Sequence, residues 1–100
     1  MVICVTYWWS PSKNEEVLKK YYEAADKYKD VLKSVKIYLK YMRLGTQATA
    51  YFEVEEGKLE ETLNTIITMF NEFVEEIETF TYEWDTQATL EEVLADQTAA

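Results

Sequence analysis

The chain has 100 residues, of which 48% are apolar and 15% aromatic; that suits one folded domain and is too apolar for a disordered chain. It carries a net charge of −9, no histidine and one cysteine. The missing histidine removes the commonest acid–base group and the usual metal and haem ligand, and the lone Cys4 excludes an internal disulfide and any cysteine-cluster metal site.

The charge is unevenly spread. Residues 1–50 hold nine Lys/Arg against five Asp/Glu (+4), and residues 51–100 hold one Lys against fourteen Asp/Glu (−13). A basic first helix and an acidic second one follow. This balance disfavours nucleic acid as a partner. It leaves an acidic surface that either keeps the protein in solution or docks a basic protein. No stretch has the length of a membrane span, and Met1–Trp9 lacks the basic start and small-residue cleavage site of a signal peptide. The expectation is a cytoplasmic protein.

In chain order, Val2–Trp9 is β-branched and aromatic throughout and reads as a strand buried on both faces. Ser10-Pro11 ends it. Ser12 and Glu15 have the spacing of a capping box, and Val17, Leu18, Tyr21, Ala24, Ala25, Tyr28, Val31 and Leu32 recur at helical spacing, which predicts a helix over Lys13–Lys33. Val35–Arg43 and Ala48–Glu55 alternate with period two and read as the second and third strands. Leu44-Gly45-Thr46-Gln47 suits a two-residue turn with Gly45 at its first central position. In that register Tyr41 faces Ala50, Leu39 faces Phe52 and Ile37 faces Val54. On the other face Met42 meets Thr49, Lys40 meets Tyr51, Tyr38 meets Glu53 and Lys36 meets Glu55.

After Gly57, a stripe of Leu59, Leu63, Ile66, Ile67, Phe70, Val74 and Ile77 predicts a helix over Lys58–Glu76 with an acidic outer face. Thr79–Trp84 reads as the fourth strand. A last helix starts at Thr89, with Glu92 at the capping-box position, and Asp96–Ala100 reads as a fraying tail. The main domain covers residues 1–86, and 87–100 hold the short C-terminal helix and tail.

The order β-α-β-β-α-β is the ferredoxin-like plan: a four-stranded antiparallel sheet in the order 4-1-3-2 with two helices on one face, an α+β fold. The predicted helix side holds Val35, Ile37, Leu39, Tyr41, Ala48, Ala50, Phe52, Val54, Phe80, Tyr82 and Trp84; for the first strand both sets are apolar and either face could point inward, and Ile3, Val5 and Tyr7 are placed there because that leaves the less apolar set outside. The open side collects Cys4, Thr6, Trp8, Tyr38, Lys40, Met42, Thr49, Tyr51, Glu53, Thr81 and Glu83. So much ring area rarely stays bare on a monomer, and two copies stacked through these faces enclose a mixed polar and apolar space.

The run Thr6-Tyr7-Trp8-Trp9-Ser10-Pro11, followed by a helix, a hairpin and an acidic helix, resembles the dimeric α+β-barrel superfamily. Within it the chain looks like short uncharacterised archaeal and bacterial proteins of this plan. The resemblance covers roughly residues 1–85 and rests largely on element order. The superfamily includes cofactor-independent monooxygenases, haem-degrading oxygenases and small-ring isomerases; the histidine-dependent roles do not carry over to a chain without histidine.

The sequence therefore supports a homodimeric binding or structural module as the first reading, and a histidine-free enzyme or binder for a small hydrophobic or aromatic compound as the second. Whether it is an enzyme is left open. The candidate ligand or dimer-face residues are Thr6, Trp8, Tyr38, Lys40, Met42, Thr49, Tyr51, Glu53 and Glu83, with no metal site and no cofactor expected. Glu53 and Glu83 are expected roughly 9–10 Å apart with one strand between them.

Overall fold

The computed structural model describes the backbone of residues 1–99 and the side chains of residues 1–95. It contains strand β1 (Val2–Trp9), a 3-10 turn (Pro11–Lys13) and helices α1 (Asn14–Lys27) and α2 (Lys29–Leu32). Strands β2 (Val35–Met42) and β3 (Gly45–Glu53), helix α3 (Leu59–Glu76), strand β4 (Thr81–Gln87) and helix α4 (Leu90–Ala99) follow. The strands form one antiparallel sheet in the order β2-β3-β1-β4, the predicted 4-1-3-2 read from the other edge. The reading of Asp96–Ala100 as a tail falls outside the residues described with side chains.

Strand β1 is central and is paired along most of its length on both edges, from Val2↔Glu53 to Trp9↔Thr46 on one side and from Val2↔Gln87 to Trp8↔Thr81 on the other. Its Ile3, Val5, Tyr7 and Trp9 face the helices and are buried; alternation left both faces of this strand open, and the structure selects the one that leaves Cys4, Thr6 and Trp8 on the other side. They meet Phe52 from β3 and Ile66, Met69, Phe70 and Phe73 from α3. Phe80, Tyr7, Phe70 and Phe73 form a ring cluster with centroid separations from 5.0 to 6.3 Å. Full burial of Phe52, Ile3, Ile66 and Val5 contributes roughly 1.5–3 kcal/mol each.

Several local expectations are corrected. The hairpin turns at Arg43-Leu44, not at Gly45-Thr46, so Met42 pairs with Gly45 and Tyr41 with Thr46. Gly45 is used for close approach instead: a Cβ there would run into the carbonyl oxygen of Trp9 at the end of β1. Strand β3 must reach back to Gly45 to cover β1, and that pairing sets the hairpin register. Tyr41's partner moves by four residues, from Ala50 to Thr46. An even slide leaves every side chain on its predicted face while changing every cross-strand neighbour.

The first helix breaks at Tyr28 (φ −116°, ψ 35°), whose hydroxyl donates to Glu72 Oε1 at 2.7 Å. The capping box at Ser12 does not form, because Ser12 lies in the 3-10 turn and its hydroxyl lies 3.1 Å from that of Ser10. The box at α4 does form: Glu92 N–H donates to Thr89 Oγ1 (3.1 Å) and Thr89 N–H to Glu92 Oε1 (3.2 Å). The α3 stripe runs through Ile66, Met69, Phe70, Phe73 and Ile77, leaving Val74 exposed. Strand four starts at Thr81 and extends to Gln87; Thr79 instead occupies a turn at φ +76°, closed by Phe80 N–H to the Ile77 carbonyl.

Helix α1 buries only Val17 and Ala24. Its hold on α3 is largely ionic. Lys20 Nζ lies 2.6 Å from Glu76 and 3.9 Å from Glu72, and Lys27 Nζ lies 2.8 Å from Glu72. The Lys27 ammonium and the Tyr28 hydroxyl hold the Glu72 carboxyl below its ordinary value of 4.5. Glu76 raises Lys20 above its ordinary 10.5.

Two predictions follow from these contacts. Gly45→Ala should lower unfolding stability in urea by about 2 kcal/mol or more, because the new Cβ meets backbone. Gly57→Ala, at φ +80° with open space around it, should cost about 1 kcal/mol. The second prediction concerns pH. A carboxyl lowered by folding contributes stability that is complete above its unfolded value and is lost as pH falls through the folded one. Urea titrations should therefore show the wild type losing more stability than Glu72→Gln as pH drops from neutral to below the carboxylate range. The Lys20 contribution should persist at neutral pH and fade only as pH rises above 10.5.

Candidate functional site

The sheet has two unlike faces, and each presents a feature with functional potential. On the open face, the pairings of β1 align side chains into rows across the four strands. One row reads Lys36, Tyr51, Cys4, Asp85; the next reads Tyr38, Thr49, Thr6, Glu83; the third reads Lys40, Gln47, Trp8, Thr81. The β2 edge is thus basic (Lys36, Lys40), the β4 edge acidic (Glu83, Asp85) and the middle aromatic and hydroxylated. All four charged residues are exposed, and none makes an ion pair with another described residue.

The predicted residues Thr6, Trp8, Tyr38, Lys40, Met42, Thr49, Tyr51, Glu53 and Glu83 all lie on strands β1 to β4, and the pairing separates some that were expected to meet. Lys40 faces Gln47, and Lys36 is the lysine beside Tyr51. Tyr38 faces Thr49, and its ring meets that of Tyr51 edge-on at 6.0 Å. Trp8 Nε1 donates to Gln47 Oε1 at 3.2 Å. Glu53 is level with Val2, whereas Glu83 is level with Thr6, so they stand two strands and four residues apart, roughly 16 Å rather than 9–10 Å. That distance rules out a carboxylate pair acting on one bond. Met42 sits at the hairpin end, 38% exposed. Lys36, Tyr38, Thr49 and Tyr51 line a broad, shallow depression.

Cys4 sits in the middle of this face yet is buried. Burial, and then the nearby Asp85 carboxylate, push its thiol above its ordinary 9.0. A buried thiol with a raised value is a poor nucleophile. Among the described residues no group of three or more His, Cys, Asp or Glu side chains is placed to hold a metal ion, and no helix is long and apolar enough to cross a membrane.

On the helix side the structure opens a second feature that sequence reasoning missed. Between α1 and the β2–β3 hairpin lies a cleft of about 360 Å³. Tyr7, Phe52, Phe70 and Phe73 form its floor, and Leu18, Leu39 and Tyr41 are lining residues that remain exposed. Leu39 and Tyr41 were expected in the core. They point to the helix side, but α1 is too far from the β2 edge to cover them, and they are 53% and 78% exposed. Trp84, at the opposite edge, is likewise left 43% exposed. The available signal was the excess of large apolar residues on an edge strand that shares the cleft with Ala24, a small residue of α1.

The cleft carries polar groups but no charged ones. Trp9 Nε1 donates to Asn14 Oδ1 at 2.6 Å, and the Tyr7 and Tyr21 phenols both reach the cleft walls. Burial pushes the Tyr7 phenol far above its ordinary 10.0, with Tyr21 adding to the shift, so it stays protonated.

No protein-family model matches the chain, and no curated protein matches it. Solved structures of similar shape include two de novo designed proteins. The de novo designed protein Ferredog-Diesel superposes with a TM-score of 0.62 at 13% identity, covering 86% of this chain and 85% of that one. The de novo designed protein Foldit4 gives 0.50 at 11% identity, covering 87% and 97%. At these identities the likeness is one of fold: a small α+β domain on a four-stranded antiparallel sheet.

The burial of Cys4 generates a prediction. Alkylation by iodoacetamide at pH 8 in native buffer should run at least about a hundredfold slower than for the urea-unfolded chain. Equal rates, followed by mass spectrometry, would show the thiol to be open.

Proposed function

We propose that the protein is a homodimeric binding or structural module assembled through the open faces of two sheets, the arrangement of the dimeric α+β-barrel superfamily. The observation that carries this reading is the opposed charge of the two sheet edges across an aromatic centre. A two-fold axis lying between the sheets and parallel to the strands sets β2 of one copy over β4 of the other, and it keeps each row on itself. Lys36 then lies over the partner's Asp85 and Tyr38 over the partner's Glu83, twice each. Tyr51 covers the partner's Cys4, and Gln47 the partner's Trp8. A rotation about an axis perpendicular to the strands would instead place lysine edge on lysine edge.

The size of the face suits this reading. Four strands of about eight residues span roughly 19 by 26 Å, so two faces cover on the order of 1,000 Å² in projection, the lower end of specific interfaces. Tyr and Trp at its centre are the residues that anchor interfaces, and aligned packing of two sheets is a standard arrangement. Lys36 and Asp85, without ion-pair partners in one copy, gain each other in two, and Glu83 gains a tyrosine hydroxyl.

The test is a charge-swap series measured by sedimentation equilibrium. Lys36→Glu alone and Asp85→Lys alone should each weaken the dimer by at least about tenfold, because every change counts twice across a two-fold axis. The double variant Lys36→Glu/Asp85→Lys should recover most of the loss. A wild type that stays monomeric at tens of micromolar, or a double variant no tighter than the singles, would refute the arrangement.

A further inference from the structure

We infer that the cleft beneath α1 is a binding site for an uncharged, largely apolar ring compound, separate from the dimer face. The two lie on opposite sides of the sheet, so the inference does not depend on the dimer. The volume of about 360 Å³ falls within the range of small-molecule sites, roughly 300–1,000 Å³.

Three features define the ligand. First, the floor is built of rings: Tyr7 and Phe70 have centroids 5.0 Å apart, and Phe52 meets Phe70 edge-on at 6.4 Å. A flat ring system can stack on or edge against such a surface, as aromatic pairs do. Second, no lining residue is charged, so an ionised ligand would lose its hydration with no counter-charge in return. Third, the polar groups present are neutral donors and acceptors. The Tyr7 phenol, in the buried part of the cleft, stays protonated and is able to donate to a hydroxyl or carbonyl oxygen of the ligand. Leu18, Leu39 and Tyr41 then give the ligand apolar contact at the rim, where they otherwise stand in water.

The setting also explains how a ligand enters. Helix α1 buries two residues and is held to α3 mainly by Lys20 and Lys27 on Glu72 and Glu76. Little apolar packing has to be broken for α1 to move away from the hairpin.

The experiment uses 2-naphthol and 2-naphthoate as probes, titrated into the full chain by calorimetry at neutral pH. 2-Naphthol should bind saturably at one per chain, and 2-naphthoate at least about tenfold more weakly, since only the second carries a charge into the cleft. Ala24→Leu, which fills the cleft from α1, should reduce 2-naphthol affinity at least tenfold. Leu39→Arg, at an exposed rim position that tolerates the change, should weaken 2-naphthol and strengthen 2-naphthoate; it keeps the test decisive if Ala24→Leu fails to fold. Lys36→Glu, on the opposite face, should leave 2-naphthol affinity unchanged. Absence of saturable binding, equal affinity for the two probes, or loss of binding in Lys36→Glu would each overturn the assignment.

Discussion

The pairing of β1 on both of its edges is the constraint from which the rest of the molecule follows. A central strand satisfies its backbone groups only if both neighbours match its length, and here β3 pairs with all of it and β4 with all but Trp9. Matching β1 draws Gly45 against the Trp9 carbonyl, where no Cβ fits, and that contact fixes where β3 begins. The hairpin then has to turn before Gly45, and the position of β2 is settled. The rows of the open face and the overhang of Leu39 and Tyr41 on the other are both products of this one register.

Which face each side chain of β2 and β3 takes was legible in the sequence, because face depends only on parity and parity is printed in their alternation; β1, apolar on both faces, carries no such print. The α+β class and the strand order followed from element order. The neighbours were not legible. Gly45 offered two uses, a turn residue or a point of close approach, and local chemistry favours the turn; only the length of β1, a non-local requirement, selects the other. The same blindness separated Lys40 from Tyr51, a pair placed by the turn; Glu53 and Glu83 were placed by strand spacing alone, which does not report their offset along β1. Capping shows a similar limit. Thr89 and Glu92 form their box even though the Met1 ammonium also binds the Glu92 carboxylate at 2.7 Å, whereas Ser12 had the same pattern but was taken up beside Ser10 in the tight turn after Pro11.

The cleft was illegible for a different reason. Helical spacing in the first helix promised a continuous apolar stripe ending in Leu32, and such a stripe predicts a covered sheet. The break at Tyr28 divides the stripe into two helices. Leu18 and Leu39 keep their predicted directions and still fail to meet. Periodicity reports direction, and burial also requires that the opposing element come close enough.

The distribution of charge makes physical sense in these terms. Helix α3 carries Glu60, Glu61, Glu72, Glu75 and Glu76, and of these Glu72 and Glu76 are turned toward α1 and hold its lysines. Replacing apolar packing by ion pairs at this junction is costly in stability, since exposed pairs are worth little. It leaves a helix that stays in place without filling the space beneath it. The basic first half and the acidic second half of the sequence thus meet at the α1–α3 junction, where Lys20 and Lys27 reach Glu72 and Glu76 beside the buried Val17 and Ala24.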